Sequence, residues 1–364
     1  MTSDHAIASG LDTTLSSGMF GDGDALAADR DTLVEGQSWA LCESVPEVRP
    51  TSGLQALVRV AERADRDRAG AEVSFSPLEL DGEAAGSPAD DPTGPAPWAD
   101  GRRAWFVRDW AHPRTDALLR VTRQVLDFSG YAGDIDGHTP ARRDGEAVAA
   151  GVALLERALP AATGHTLSLV RLVCVLRCDI PSMYLTQVPE TVFVSDGLLR
   201  GHSALVVGEC LLHESLHEKY TLLRLVRRLM RPGQSDTAGP RVLLPWSLTM
   251  GERRRFGVNR LLSTLHVYAH LSALHVAVLA TGAHREHHAE ARARLATTYE
   301  RGAYLAEALR FPEVVEHLGP DGTRLRDWLA EDVLAPAAAA GATAGLALAP
   351  YPTGTWNRED LVSP

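Results

Sequence analysis

The sequence predicts an α+β fold, predominantly α-helical, with a small sheet packed near one long helix. Three observations carry this reading. Apolar residues recur at i, i+3, i+4 and i+7 over most of the chain. The period turns β-like only in 165–177 (HTLSLVRLVCVLR) and 190–195 (ETVFVS). A long helical run, 202–231, follows those strands and contains the pentad His213-Glu214-Ser215-Leu216-His217.

The chain has 364 residues and a formal net charge of −11. The first hundred residues carry −13 and the remaining 264 carry +2. Such acidity argues against nucleic acid as a partner, because neutralising phosphates needs a basic face. Four cysteines are too few for a disulfide scaffold at this length. Cys174 and Cys178 have no third cysteine at an iron–sulfur spacing, so buried free thiols are expected. MTSDHAIASG has no basic n-region or apolar h-region, and no run approaches 18 apolar residues. A cytoplasmic protein that spans no membrane is the expectation.

Residues 1–50 are acidic and Gly/Ser-rich, and much of this stretch is expected to be poorly ordered. Leu54, Leu57, Val58 and Ala61 predict a helix over 53–67. The Gly/Pro/Ala/Asp composition of 81–101 marks a linker. The expected organisation is therefore an acidic N-terminal region (1–100), a metal-binding catalytic domain (101–334) and an Ala-rich C-terminal segment (335–364). Leu118, Leu119, Val121 and Val125 predict a helix over 114–128, and Val148, Val152, Leu155 and Leu159 another over 145–159. The strands 165–177 and 190–195 follow, with Pro181 and Pro189 in their connection. The helix 202–231 is ended by Pro232-Gly233. A loop leads to Pro245-Trp246, and helices are expected over 253–282, 284–309 and 313–334.

HExxH chemistry requires a helix. Side chains at i and i+4 share one face, so two imidazoles can bind one ion with Glu214 beside them. Leu205, Leu212, Leu216, Leu223, Val226 and Leu229 recur at helical spacing through this run. Nine of the 14 histidines lie within 202–288, which supplies candidates for a third ligand. The metzincin continuation HxxGxxH is absent, and Asp236 near the gluzincin spacing falls in a GQSD loop. LHVYAHLSALH downstream offers His266, His270 and His275. Three histidines suit zinc or non-haem iron, so spacing alone leaves two chemistries open. Zinc would activate water with Glu214 as general base, giving a metallopeptidase. Iron would need open positions for a keto acid and O₂.

The stretch 166–270 resembles the HExxH-type, 2-oxoglutarate-dependent peptide β-hydroxylases of ribosomal peptide natural-product pathways. The resemblance rests on the β-rich lead-in (LSLVRLVCVLRCDIP…TVFVSDGLL) and on GECLLHESLHEKYTLL. It continues through Pro245-Trp246, the Arg-containing GERRRFGVNR and Leu265-His266. The Trp246-to-His266 distance is longer than the family's, and Arg253, Arg254, Arg255 and Arg260 stand where it has an R-P step. The resemblance implies Fe(II), 2-oxoglutarate and O₂, with a precursor peptide hydroxylated at a side-chain β-carbon. It implies His213, His217 and His266 as iron ligands, with Glu214 orienting a ligand or bound water. It implies Arg255 or Arg260 on the 2-oxoglutarate C5 carboxylate, with Arg260 nearer the family position. The sequence has too few strands for the cupin-type double-stranded β-helix of most such oxygenases.

Overall fold

The computed structural model describes residues 3–44, 92–99, 104–234, 239–353 and 358–363. The expected helix at 53–67 and most of the linker at 81–101 lie outside these residues. The fold is α+β and predominantly α-helical, with a small mixed sheet and no closed barrel among the described residues. The chain divides into two compact units. One comprises Met1–Asp22, Arg157–Ala162 and Arg227–Pro364; the other comprises Gly23–Glu156 and Thr163–Val226.

The second of these units is built on a six-stranded sheet. Its strands are β1 (Thr93–Pro95), β2 (Trp105–Val107), β3 (Asp136–Gly137), β4 (Leu172–Arg177), β5 (Ser182–Met183) and β6 (Thr191–Ser195). The order is β1-β2-β4-β6-β5, with β3 on β4. The β2–β4 and β4–β6 pairs are parallel and the others antiparallel. Strand β4 is buried on both faces, as its unbroken apolar run LVCVLR requires. Leu172, Cys174 and Leu176 point to one face with Phe193 and Met183. There they meet Leu118, Leu119 and Leu126 of the amphipathic helix Pro113–Phe128. The opposite face receives the helix Ala204–Val226, which packs on β5 and β6. That helix carries the HExxH pentad and is called αS below.

The predicted strand 165–177 is shorter in the structure. Residues 165–167 complete the helix Pro160–Leu167, and the strand begins at Leu172. Pro160 suits the first helical turn, and Asp12 caps it by accepting from the Ala161 and Ala162 amides at 3.2 and 2.8 Å. That cap comes from about 150 residues away, so local periodicity could not reveal it. The N-terminal stretch differs as well. It forms the helices Ser3–Ser16, Gly18–Gly21 and Gly23–Ser44, anchored by the buried Leu11, Leu15, Leu26 and Val34. αS ends at Val226, six residues before Pro232. Arg228 N–H is taken by Asp321 Oδ2 (2.9 Å), and Met230 bridges to Leu318.

The other unit centres on the helix Val258–Ala280, called αC below. It packs against His288–Ala308 and Ser3–Ser16. Among the described residues αC is the helix long and apolar enough to cross a membrane, and most of it is buried in the protein. A three-stranded antiparallel sheet, Arg255–Gly257, Arg241–Leu243 and Val362–Ser363, completes the unit. Residues 335–343 of the Ala-rich segment are helical. Cys174, Cys178 and Cys210 are free thiols, and burial pushes Cys174 well above its ordinary pKa.

A polar lock fixes the start of the helix Arg142–Ala158. The fully buried Asp144, its third residue, accepts from the Ala141 amide (2.8 Å) and meets His138 Nε2 at 2.9 Å. Burial pushes the Asp144 carboxyl up. The hydrogen bonds from His138 and Ala141 and the charges of His138 and Arg200 outweigh it, and the net shift is downward. A folded-state value below the unfolded one stabilises the fold above an ordinary Asp pKa of about 3.9. That stability is lost as pH falls through the lower folded value. Asp144→Asn is expected to cost about 1–3 kcal/mol at neutral pH. Its stability should then fall less than wild type from about pH 4 downward. Urea unfolding across pH measures both, and equal pH slopes would refute the assignment.

Candidate metal site

αS is capped by Ser203, the residue before it, whose hydroxyl accepts from the Val206 amide at 3.3 Å. The amphipathic reading of this helix is incomplete. Leu205, Leu212, Leu216 and Leu223 are buried as expected, but so are Glu214, Glu218 and Lys219. Carboxylates leave water only where something satisfies them, and the sheet supplies those partners.

His213 and His217 are half-buried and face each other. Their Nε2 atoms lie 3.2 Å apart, with ring centroids at 4.9 Å. One ligand atom from each of His213, Glu214 and His217 lies within 4.8 Å of the others. Two nitrogens bound to one tetrahedral zinc at about 2.0–2.1 Å would be about 3.3 Å apart. The observed separation therefore fits a single ion held by both imidazoles.

Glu214 owes its position to the pleat of β5. Met183 points into the apolar core, so Ser182 points the other way, toward αS. There the Ser182 hydroxyl donates to Glu214 Oε1 at 2.7 Å. Burial pushes the Glu214 carboxyl up, against the lowering effects of His213 and this hydrogen bond. Tyr184, two residues after Ser182, reaches the same side. Its hydroxyl donates to Glu218 Oε2 at 2.8 Å, and its ring lies against His217 at 6.1 Å and 19°.

The other residues named from sequence belong to the unit built around αC. His266 is fully buried on αC, its ring 4.3 Å from that of His270. His270 Nδ1 contacts the His266 carbonyl at 2.7 Å, and His275 meets Thr298 Oγ1 at 3.4 Å. Arg255 donates to three backbone carbonyls, those of Arg241 (3.3 Å), Leu361 (3.2 Å) and Asp360 (2.8 Å). It thereby fastens the C-terminal strand to the small sheet. The Arg260 guanidinium stacks on Phe256 at 4.2 Å. Trp246 is buried among Tyr268, Tyr304 and Tyr351, with Arg301 over its ring at 5.3 Å.

The structure thus brings His213, Glu214 and His217 together within one unit. It adds Ser182, Tyr184, Glu218 and Glu190, which the sequence reading did not single out. Two signals pointed that way: a Ser-x-Tyr step between two strands, and a carboxylate one residue past His217. Neither signal identifies its partner, because the pairings span more than 25 residues. No protein-family model matches the chain, and no curated protein matches it.

Proposed function

We propose that this chain is a metal-dependent enzyme whose ion is held by His213 and His217. By the resemblance of 166–270, we propose a non-haem Fe(II) and 2-oxoglutarate-dependent dioxygenase. Its substrate would be a precursor peptide, hydroxylated on a side-chain β-carbon in the cytoplasm. The observation that carries the metal reading is the pair of facing Nε2 atoms, 3.2 Å apart, beside a buried carboxylate. Iron, when bound, would supply O₂ activation driven by oxidation of the keto acid.

The chain's own residues have separable tasks. His213 and His217 offer imidazole nitrogens from one helical face. Glu214, steadied by Ser182, orients the group beside them. The resemblance names His266 as the third protein ligand. It also calls for a bidentate cation on the 2-oxoglutarate C5 carboxylate. Of the two candidates, Arg260 stands nearer the family position in sequence order, and the Arg255 guanidinium is engaged with three carbonyls.

A zinc metallopeptidase is the second reading. It is favoured by one observation, the Glu214 carboxylate within 4.8 Å of both imidazole nitrogens, where a general base is needed. One experiment separates the two. The protein is purified anaerobically and given Fe(II), 2-oxoglutarate, O₂ and candidate peptides. Succinate release coupled to a peptide mass gain of one oxygen is the expected result. Stoichiometric zinc with peptide cleavage and no succinate would overturn the dioxygenase.

A further inference from the structure

We infer that Tyr184 and Glu218 position the His217 imidazole, and that Arg30, on the N-terminal helix Gly23–Ser44, holds this pair in place through Glu190. The inference rests on the reading that His213 and His217 bind a metal.

The chain of contacts is continuous. The Tyr184 ring lies nearly parallel to that of His217, and its hydroxyl donates to Glu218 Oε2 at 2.8 Å. The same hydroxyl is 3.2 Å from Thr221 Oγ1, which donates to the His217 carbonyl at 2.8 Å. Tyr184 is therefore tied to the turn of αS that carries the ligand, as well as to the ligand's ring. Glu218 is fully buried, and its Oε2 also accepts the Glu190 amide at 3.1 Å.

Glu190 has a φ of 58°, the left-handed region, and no other non-glycine among the described residues has a positive φ. Such a conformation persists only where the surroundings determine it, and it gathers at functional sites. Here the cause is visible. The Glu190 carboxylate is buried and meets Arg30 Nη1 at 2.8 Å and Arg171 Nε at 3.6 Å. The side chain is anchored on Arg30 while the amide is turned onto Glu218. Arg30 is itself buried, 160 residues away in sequence. An ion pair between two buried side chains is poor value for stability alone, since both charges lose their water. Its evident product is a fixed amide direction, and through Glu218 and Tyr184 a fixed imidazole. Partners that fix a ligand's ring orientation typically change metal affinity 10–100-fold.

The test uses the full chain with zinc and cobalt(II) as probes. Affinities are read against a chromophoric chelator, and the cobalt absorption bands report ligand geometry. Tyr184→Phe keeps the ring and removes only the hydroxyl. It should weaken zinc binding about tenfold and shift the cobalt bands, with little change in metal-free melting temperature. Arg30→Gln, remote from the ligands, should weaken zinc binding as well, while also lowering the metal-free melting temperature. If Tyr184→Phe binds zinc as wild type does, with unchanged cobalt bands, the positioning role is overturned. If only Arg30→Gln leaves affinity unchanged, the Arg30 arm is overturned. If wild type binds neither ion, the metal reading beneath the inference fails, and the inference with it.

Discussion

His213→Ala is expected to lower metal affinity by more than the 10–100-fold typical of losing a mere orienting partner. Activity should fall to background. The two imidazoles are the facing pair on αS, and either alone is a weak monodentate ligand. Equilibrium dialysis followed by elemental analysis measures the loss directly. The fold should survive, because His213 is half-buried and its ring nitrogen meets His217, another member of the same site. Alanine also favours a helix interior slightly over histidine. His217→Ala should lose metal equally, and Glu214→Gln should keep more of it, because its role is to orient rather than to anchor. Stoichiometric metal in both histidine variants would show that αS is not the metal site.

The second large effect concerns packing rather than chemistry. The helix Arg142–Ala158 and αS pass so closely that their backbones touch at two glycines. A Cβ on Gly151 would sit 2.8 Å from the Gly208 amide nitrogen, and one on Gly208 would sit 2.9 Å from the Gly151 carbonyl oxygen. Neither obstacle is the flexible end of a side chain, so the helices themselves must separate. Gly208→Val should cost about 3 kcal/mol, the upper range for overpacking. It should also weaken metal binding, since Gly208 lies five residues before His213 on the same helix. Gly145→Ala supplies the contrast. It lies on the partner helix with nothing within 4 Å of the added Cβ, so it should be neutral or stabilising by up to about 1 kcal/mol. Urea titrations of the two variants read the difference, and a Gly208→Val protein as stable as wild type would refute the close crossing.

Much of this architecture is legible in the sequence where the determinants are local. The helix at 113–128 follows from its apolar stripe, and Thr191–Ser195 from a short β-branched run between breakers. The facing of His213 and His217 follows from a spacing of four on a helix. What escapes the sequence depends on distant partners. The Asp12 cap converts 165–167 from the expected strand into the end of a helix. Asp321 draws the chain out of αS before Pro232 is reached. Buried Glu214 and Glu218 look like solvated positions until Ser182, Tyr184 and Glu190 are seen to satisfy them. Scattered apolar residues in the first 44 positions read as islands in a polar stretch, because the helices that bury them lie elsewhere in the chain. Arg255 is a candidate for a cosubstrate carboxylate by residue type and position, but two of its three carbonyl partners lie near the C-terminus, out of reach of local sequence.

The discontinuity of the two units has a consequence for how the molecule is made. The helix Ser3–Ser16 packs on αC, and roughly 250 residues separate them. At about 5–20 residues per second, the first helix leaves the ribosome at least ten seconds before αC exists. Leu11 and Leu15 spend that interval without their burial site. The unit that carries the pentad is complete in sequence once Val226 has been translated, well before αC. Vectorial synthesis therefore favours completing the HExxH-bearing unit first. The amino terminus waits to join a body that the last third of the chain supplies.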